Sequence, residues 1–242
     1  MSLGTSDPAG SGPAAGSRRA PAGGGRGGST PPYGSLPHRL LQRPLRLLTH
    51  HVVLRVRVSG LANVPPTGPL LLAGNHAGWL DGPLVAVEAP RTVRCLVKSE
   101  LYTGVLGRFL TAAGQIPVRR GRPDRGALHA ALDELAHGGA VAVFPEGTRG
   151  TGELETVQHG IAYLAVHGRA PVLPVVCLGT GQALPKGAHW PKRSVPIDVV
   201  FGEPFTVEIP TNPRSRRALA AVAEDIRLRL AAHLAAARAA RR

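Results

Sequence analysis

A histidine and an aspartate lie five positions apart in residues 74–81 (Gly-Asn-His-Ala-Gly-Trp-Leu-Asp), directly after an apolar segment. On a continuous helix a five-residue step turns about 140° around the axis, so His76 and Asp81 would point in different directions. We therefore predict a bend between them, with Gly78 supplying backbone freedom and Pro83 in the first turn of a helix that begins near Asp81. In such a turn Asp81 can accept a hydrogen bond from one ring nitrogen and leave the other nitrogen free to take a proton. The pattern indicates a general base.

Two later polar clusters also follow apolar runs. They are residues 114–120 (Gly-Gln-Ile-Pro-Val-Arg-Arg) and residues 144–149 (Phe-Pro-Glu-Gly-Thr-Arg). Arginine binds phosphate through two hydrogen bonds, so Arg120 and Arg149 could hold a phosphate while His76 removes a proton from an alcohol. This set of side chains fits attack by a hydroxyl group on an activated acyl group, with the alcohol anchored through its phosphate.

Short segments rich in Val, Leu and Ile alternate with segments of helical spacing. We predict strands near residues 52–58, 69–74, 93–97, 115–118, 140–144, 171–177 and 195–201, and helices near residues 81, 99–114, 123–138, 160–167 and 213–242. Strands that alternate with helices indicate an α/β fold: a single layered domain with a mixed, largely parallel sheet flanked by helices. Because ligands bind at the carboxyl ends of parallel strands, the three polar clusters are expected to meet there.

The chain carries a formal charge of +14, and residues 8–80 contain eight arginines without any Asp or Glu. Such a charge favours a polyanionic partner: an anionic membrane surface, an acidic carrier protein or nucleic acid. Aromatic residues are only 4% of the chain and do not alternate with basic ones, so nucleic acid is not expected. A high-GC genome also raises the Arg and Ala content, which would leave part of this charge without a function.

Composition divides the chain into four parts. We predict a disordered Gly/Pro/Ser/Ala-rich tail at residues 1–35, a basic amphipathic segment at 36–50, a catalytic domain at 51–210 and an Ala/Arg-rich helix at 211–242. The amphipathic segment fits either a bilayer surface or a helix packed on the domain. We expect neither a signal peptide nor a membrane-spanning helix, and we expect the basic ends of the chain to attract anionic lipid.

Other chemistries find no support in the sequence. Cys95 and Cys177 lie in apolar, strand-like contexts, so we predict buried, unreactive thiols rather than a disulfide, a metal site or a nucleophile. The Gly-x-Ser-x-Gly motif of α/β-hydrolases and the Gly-rich phosphate loop of nucleotide enzymes do not occur. No cluster has zinc-ligand spacing, and we predict no metal.

The three polar clusters together resemble the motifs of the glycerolipid acyltransferase family, whose best-known branch makes phosphatidate from lysophosphatidate. Asn75-His76 with Asp81 matches its Asn-His-x4-Asp motif, and residues 114–120 match its Gly-x-Ile-x-Val-x-Arg motif. Residues 144–149 match its Phe-Pro-Glu-Gly-Thr-Arg motif, and Val-Leu-Pro-Val at 172–175 is similar to its fourth, proline-centred strand. The resemblance extends from about residue 58 to residue 202, with the motifs in the same order.

The resemblance implies transfer of a fatty acyl group from a coenzyme A or acyl carrier protein thioester to the hydroxyl of a lysolipid, without another cofactor. His76 would be the base and Asp81 would orient it. The substrate-binding residues would be Asn75, Arg120, Glu146, Gly147, Thr148 and Arg149, with Arg120, Glu146 and Arg149 on the glycerol phosphate.

The chain departs from the family pattern at two places. Arg119 stands where an Asp is often found, and Val157-Gln158-His159-Gly160 stands where Phe-Lys-x-Gly is frequent. Acceptors other than lysophosphatidate therefore stay open. A catalytically inactive, membrane-binding relative is a further alternative, although the intact His76, Asp81, Glu146 and Arg149 count against it. The expected location is cytoplasmic, peripheral on the inner face of the cell membrane.

Overall fold

A computed structural model describes residues 44–47, 49–119, 121, 124–147 and 149–241. The predicted tail at 1–35 and most of the amphipathic segment lie outside these residues. So do two predicted substrate contacts, Arg120 and Thr148.

Seven strands in the described residues form one sheet. They are β1 (Arg55–Ser59), β2 (Leu70–Gly74), β3 (Arg94–Lys98), β4 (Ile116–Val118), β5 (Ala140–Val143), β6 (Val172–Leu178) and β7 (Pro196–Phe201). Their order in the sheet is β1-β7-β6-β2-β5-β3-β4, and every neighbouring pair is parallel except β6 with β7. The predicted α/β fold with a mixed, largely parallel sheet is confirmed.

Helices connect most of the strands. They are α1 (Asp81–Glu88), α2 (Gly104–Ala112), α3 (Arg125–Ala136), α4 (Gly160–Gly168), α5 (Thr180–Ala183) and α6 (Arg216–Arg241), with 3₁₀ turns at Leu61–Asn63 and Ser99–Leu101. Asp124 caps α3 by accepting a hydrogen bond from the Ala127 N–H at 3.2 Å. Among the described residues, none of these helices combines the length and the apolar character that crossing a bilayer demands.

Both faces of the sheet are buried, which explains why the central strands are apolar at every position. In β2, Leu71 packs with α3, α4 and α6, whereas its neighbour Leu72 packs on the other face with α1. The C-terminal helix α6 buries Ile226, Leu230 and Leu234 in the same core as the sheet. Where the domain begins and ends in the sequence stays a prediction.

The structure changes one strand boundary. A strand was expected from residue 52, but Thr49–Val53 form a π-helical turn and β1 begins at Arg55. This turn lies against α1, where Glu88 is fully buried and accepts hydrogen bonds from Arg46 Nε and His50 Nε2, both at 2.8 Å. The described end of the amphipathic segment is therefore packed on the domain. This is one of the two arrangements that we expected, the other being contact with a bilayer surface.

Ion pairs occupy much of the positive charge of α6. Four of its arginines pair with carboxylates: Arg227 with Glu224, Arg229 with Asp225, Arg238 with Glu153 and Arg241 with Asp198. The first three charges each have a carboxylate of their own, whereas Arg241 shares Asp198 with Arg57. Attraction of this helix to anionic lipid stays a prediction.

Candidate active site

The turn after β2, residues 75–80, carries the predicted base, and we call it the His76 turn. The Nδ1 atom of His76 lies 2.9 Å from Oδ2 of Asp81, the first residue of α1, and the same oxygen accepts the Gly78 N–H at 2.8 Å. Both side chains are buried. With Nδ1 donating to Asp81, Nε2 is the nitrogen left to accept a proton. The bend and the pairing predicted from the spacing are both present.

Gly78 is required for a different reason from the one expected. Its φ lies outside the left-handed region, so backbone freedom does not explain it. Instead, a Cβ at this position would lie 2.8 Å from the carbonyl carbon of Thr180 and 2.9 Å from the amide nitrogen of Gly181. The His76 turn thus rests directly on the backbone that follows β6, and only glycine permits this approach.

The ring of Phe144 supports the imidazole. Its centroid lies 4.7 Å from that of His76, with 28° between the ring planes. Phe144 follows β5, which pairs with β2, and a Cβ at Gly74 would lie 3.0 Å from its Cε1 atom. This stacking contact fixes the ring plane of His76. The sequence signal that could have identified Phe144 is an aromatic residue at the end of the neighbouring strand.

Glu146 holds the backbone of the His76 turn. Its Oε1 atom accepts the His76 N–H at 2.7 Å, an arrangement that the sequence did not predict. Burial raises the pKa of the Glu146 carboxyl, while the His76 N–H lowers it by a smaller amount. One carboxylate oxygen is therefore used in positioning the turn. Contact between the substrate and the second oxygen stays a prediction.

Asn75 binds the backbone of β6, an arrangement that the sequence did not predict. Its Nδ2 donates to the carbonyl oxygen of Cys177 at 3.1 Å, and its Oδ1 accepts the Cys177 N–H at 2.8 Å. The side chain is buried. Because both ends of its amide group bond to the backbone of β6, Asn75 joins the His76 turn to that strand. Contact between Asn75 and the substrate stays a prediction.

The loop after β5 brings a cation to the mouth of the site. Gly147 adopts a positive φ of 74°, and the guanidinium carbon of Arg149 lies 4.2 Å from the ring centroid of Trp79 in the His76 turn. Both of these side chains are exposed. The Gly150 N–H donates to the carbonyl oxygen of His76 at 3.1 Å, which ties this loop to the turn. Arg149 is thus held against the His76 turn, where the cation–π contact with Trp79 orients it.

A cavity of about 650 Å³ is lined in part by Ala77 of the His76 turn. Ala77 and Gly150 line one side, and Arg238 and Arg241 of α6 line another. Arg238 binds Glu153 through two hydrogen bonds of 2.7 and 2.6 Å, and Arg241 Nε lies 2.8 Å from Asp198. Both guanidinium groups thus already bind carboxylates, although Arg241 shares Asp198 with Arg57.

Both thiols are buried, as predicted. Burial raises the pKa of Cys95 to about 12 and that of Cys177 well above its ordinary value, so neither forms a thiolate near neutral pH. Nowhere in the described part of the chain do three or more His, Cys, Asp or Glu side chains come together as metal ligands would.

The sequence that forms this site is similar to those of known acyltransferases. The acyltransferase family model matches residues 55–178. The 1-acyl-sn-glycerol-3-phosphate acyltransferase of Bacillus subtilis is 28% identical over 179 residues, which cover 72% of this chain and 86% of that protein. The lyso-ornithine lipid O-acyltransferase of Pseudomonas aeruginosa is 37% identical over 127 residues, which cover 52% of this chain and 47% of that protein.

The fold is similar to a solved structure. The crystal structure of the 1-acyl-sn-glycerophosphate acyltransferase PlsC from Thermotoga maritima matches with a TM-score of 0.59 and 26% identity, covering 82% of this chain and 80% of that one. The family model includes the His76 turn, β5 and the loop that carries Arg149, so the elements that build the site are the elements that the family shares. The chain belongs to the acyltransferase family and is an O-acyltransferase.

Proposed function

We propose that this enzyme transfers a fatty acyl group from a thioester to the hydroxyl of lysophosphatidate, giving phosphatidate. The observation that carries the proposal is the buried His76–Asp81 pair, in which Nδ1 of His76 bonds to Asp81 and Nε2 is left to take a proton, with the guanidinium group of Arg149 over the ring of Trp79 in the same turn. The names of the Bacillus subtilis and Thermotoga maritima relatives support this acceptor.

In the proposed reaction, Nε2 of His76 takes the proton from the lipid hydroxyl as its oxygen attacks the thioester carbonyl. Asp81 stabilises the imidazolium that forms. The tetrahedral intermediate then collapses, the carbon–sulfur bond breaks, and the proton passes from His76 to the departing thiolate. A thioester is already activated, so a covalent acyl-enzyme is unnecessary, and the two buried thiols fit this direct route.

The phosphate of the acceptor is proposed to bind Arg149, together with Arg120. A guanidinium group can make two charge-assisted hydrogen bonds to a phosphate. Trp79 keeps Arg149 near the His76 turn, so a phosphate bound there would place the neighbouring glycerol hydroxyl close to the base. The donor is proposed to be a coenzyme A or acyl carrier protein thioester, with no other cofactor.

A direct test measures acyl transfer to lysophosphatidate with each of the two thioester donors. Replacing His76 by Ala should lower kcat by about two to four orders of magnitude, the usual contribution of a positioned base. His129→Ala is the matched control, because His129 is an exposed histidine of α3 that belongs to none of the three polar clusters. Full activity in His76→Ala, or no product from the wild type over a panel of donors and acceptors, would refute the proposal.

A second acceptor has specific support. The Pseudomonas aeruginosa relative, at 37% identity, is named for a lyso-ornithine lipid, whose head group is an amino acid instead of a phosphate. Arg149→Gln distinguishes the two acceptors. With lysophosphatidate as the true substrate, KM should rise about 10- to 100-fold, since a hydrogen bond to a charged group contributes about 1.5–3 kcal/mol. Product analysis by mass spectrometry over both acceptors decides between them.

We also propose that the enzyme works at the anionic inner face of the cell membrane as a peripheral protein, because its proposed acceptor is a membrane lipid. The charge of +14 supports this location. Binding to anionic vesicles should weaken as ionic strength rises, because salt screens exposed charges. Binding that is independent of salt would contradict the electrostatic part of this proposal.

A further inference from the structure

Large apolar side chains are exposed in two segments beside the site. One is the outer face of α2, where Val105, Leu106 and Phe109 are 84%, 48% and 52% exposed. The other is residues 184–195, which we name the Trp190 loop, where Trp190 is 82% exposed. Single exposed apolar side chains are common, whereas several around one functional site indicate an interaction surface.

Both segments begin at the edge of the sheet that carries His76. Strands β2, β3 and β6 run in the same direction, so their carboxyl ends lie on one edge. The His76 turn follows β2, α2 lies after β3, and the Trp190 loop lies between β6 and β7. Because β3 and β6 are on opposite sides of β2 in the sheet, the two apolar segments flank the His76 turn.

The orientation of α2 is set by close packing. Gly107 is the buried residue of this helix, and a side chain there would overlap the backbone of Tyr102. The Gly107 side must therefore face the protein. Val105, Leu106 and Phe109 are related by steps of three and four residues, so they form one continuous patch that points outward.

Positive charge accompanies both apolar segments. Residues 101–123 and 156–197 contain no Asp or Glu. Arg108 is exposed on α2, and Lys186 and Lys192 are exposed in the Trp190 loop. Exposed aromatic and aliphatic side chains next to Lys and Arg are typical of surfaces that enter the head-group region of an anionic bilayer.

We propose that α2 and the Trp190 loop dock the enzyme on an anionic phospholipid bilayer, with Val105, Leu106, Phe109 and Trp190 inserted between the lipids. This inference rests on the proposed lipid acceptor. Docking by these segments would turn the sheet edge that carries His76 towards the membrane in which the acceptor lies. The lysolipid then needs to rise only partly out of the bilayer to present its hydroxyl to the base.

Vesicle co-sedimentation of the full chain tests the docking surface. With vesicles of phosphatidylglycerol and phosphatidylcholine, Trp190→Ala and the triple Ser variant of Val105, Leu106 and Phe109 should each bind on the order of tenfold more weakly than the wild type. The exposed positions of these residues should leave the melting temperature unchanged. Pure phosphatidylcholine vesicles should bind much less protein.

Two variants serve as matched controls. Ile209 and Leu228 are 50% and 54% exposed, so their apolar surfaces are comparable to those of α2. Ile209 follows β7, whose carboxyl end lies at the opposite edge of the sheet, and Leu228 lies within α6. Ile209→Ser and Leu228→Ser should bind vesicles like the wild type. Equal binding of all variants, or equal binding to the neutral vesicles, would overturn the proposal.

Fluorescence tests the insertion of Trp190 directly. The chain has two tryptophans, so Trp79→Phe leaves Trp190 as the single reporter. Its emission should shift to shorter wavelength on anionic vesicles and be quenched by brominated lipids. Bound protein without a shift or quenching would mean that another surface docks. Because neither binding measurement needs turnover, docking without acyl transfer would refute the proposed function alone, and acyl transfer without this docking would refute the inference alone.

Discussion

The role of Asp81 can be tested by a substitution that keeps its shape and removes its charge. In Asp81→Asn, the amide oxygen can still accept from His76 Nδ1 and from the Gly78 N–H, the two bonds that Oδ2 accepts now. The amide NH2 would then occupy the place of Oδ1, which is buried without a hydrogen-bond partner. The variant therefore preserves the ring orientation while removing the negative charge.

The size of the effect follows from the 2.9 Å contact between His76 Nδ1 and Asp81 Oδ2. Two unit charges about 4 Å apart at an effective dielectric constant of about 20 attract each other by about 4 kcal/mol. An imidazolium forms only as the hydroxyl attacks, so this attraction lowers the barrier and not the energy of the resting enzyme. About 1.4 kcal/mol corresponds to a tenfold change in rate, so kcat should fall by roughly a hundred- to a thousandfold.

Steady-state kinetics with lysophosphatidate and an acyl thioester measures this loss. The KM for the acceptor should change little, because Asp81 is buried behind His76. Glu88→Gln is the matched control: it removes another fully buried carboxylate of α1 that pairs with a histidine, His50, away from the site. Both variants should lose about 1–3 kcal/mol of unfolding free energy, the cost of a broken or unsatisfied buried polar contact.

Two outcomes of comparing Asp81→Asn with Glu88→Gln would refute the proposed role of Asp81. If Asp81→Asn lowers kcat by less than about tenfold, then charge stabilisation at His76 is not the source of the rate. If Glu88→Gln lowers kcat as much as Asp81→Asn, the loss reflects general destabilisation. Either outcome refutes the assignment of Asp81 as the partner of a catalytic base.

Three further substitutions test how the His76 turn is held. Gly78→Ala should cost about 1–3 kcal/mol of stability and much of the activity, because the added methyl group would lie 2.8 Å from the backbone of Thr180. Gly82→Ala is the control: its methyl group would have its nearest contact at 3.6 Å, so stability and activity should both be retained. Asn75→Ala leaves the N–H and C=O of Cys177 buried and unpaired, so chemical denaturation should show a loss of about 2–4 kcal/mol. Burial raises the pKa of Glu146, so the folded state binds this proton more tightly than the unfolded chain. The wild type should therefore lose stability relative to Glu146→Gln as the pH rises above about 4.3, the ordinary pKa of a Glu, and a constant difference measured by urea unfolding would contradict this.

Local sequence patterns were sufficient to predict the strands and the pairing of His76 with Asp81. Periodicity placed each strand within a few residues, and the spacing of His76 and Asp81 predicted both the bend and their hydrogen bond. These features depend on residues close together in the chain. For the same reason the start of α1 at Asp81 was predictable, since Pro83 favours the first turn of a helix.

The contacts that hold the site involve distant parts of the chain and were not predictable. Glu146 lies 70 positions from the N–H of His76 that it binds, and Cys177 lies 102 positions from Asn75. Predicting them requires the order of strands in the sheet, which periodicity does not contain. The outward orientation of the apolar face of α2 was also not predictable. The apolar spacing of a helix does not say whether its apolar face packs against protein or against another partner.

The strand order has a consequence for how the enzyme matures during synthesis. Strands β2, β3, β4 and β5 lie within residues 70–143 and can pair early. Among the described strands, the partner of β1 is β7, more than a hundred residues later. The clamp from Asn75 to β6 must likewise wait for residue 177 to leave the ribosome. Contacts so distant in sequence form slowly. In a nascent chain, His76 is thus present long before the contacts that hold it in its reactive position have formed. Activity should appear only in the last stage of folding.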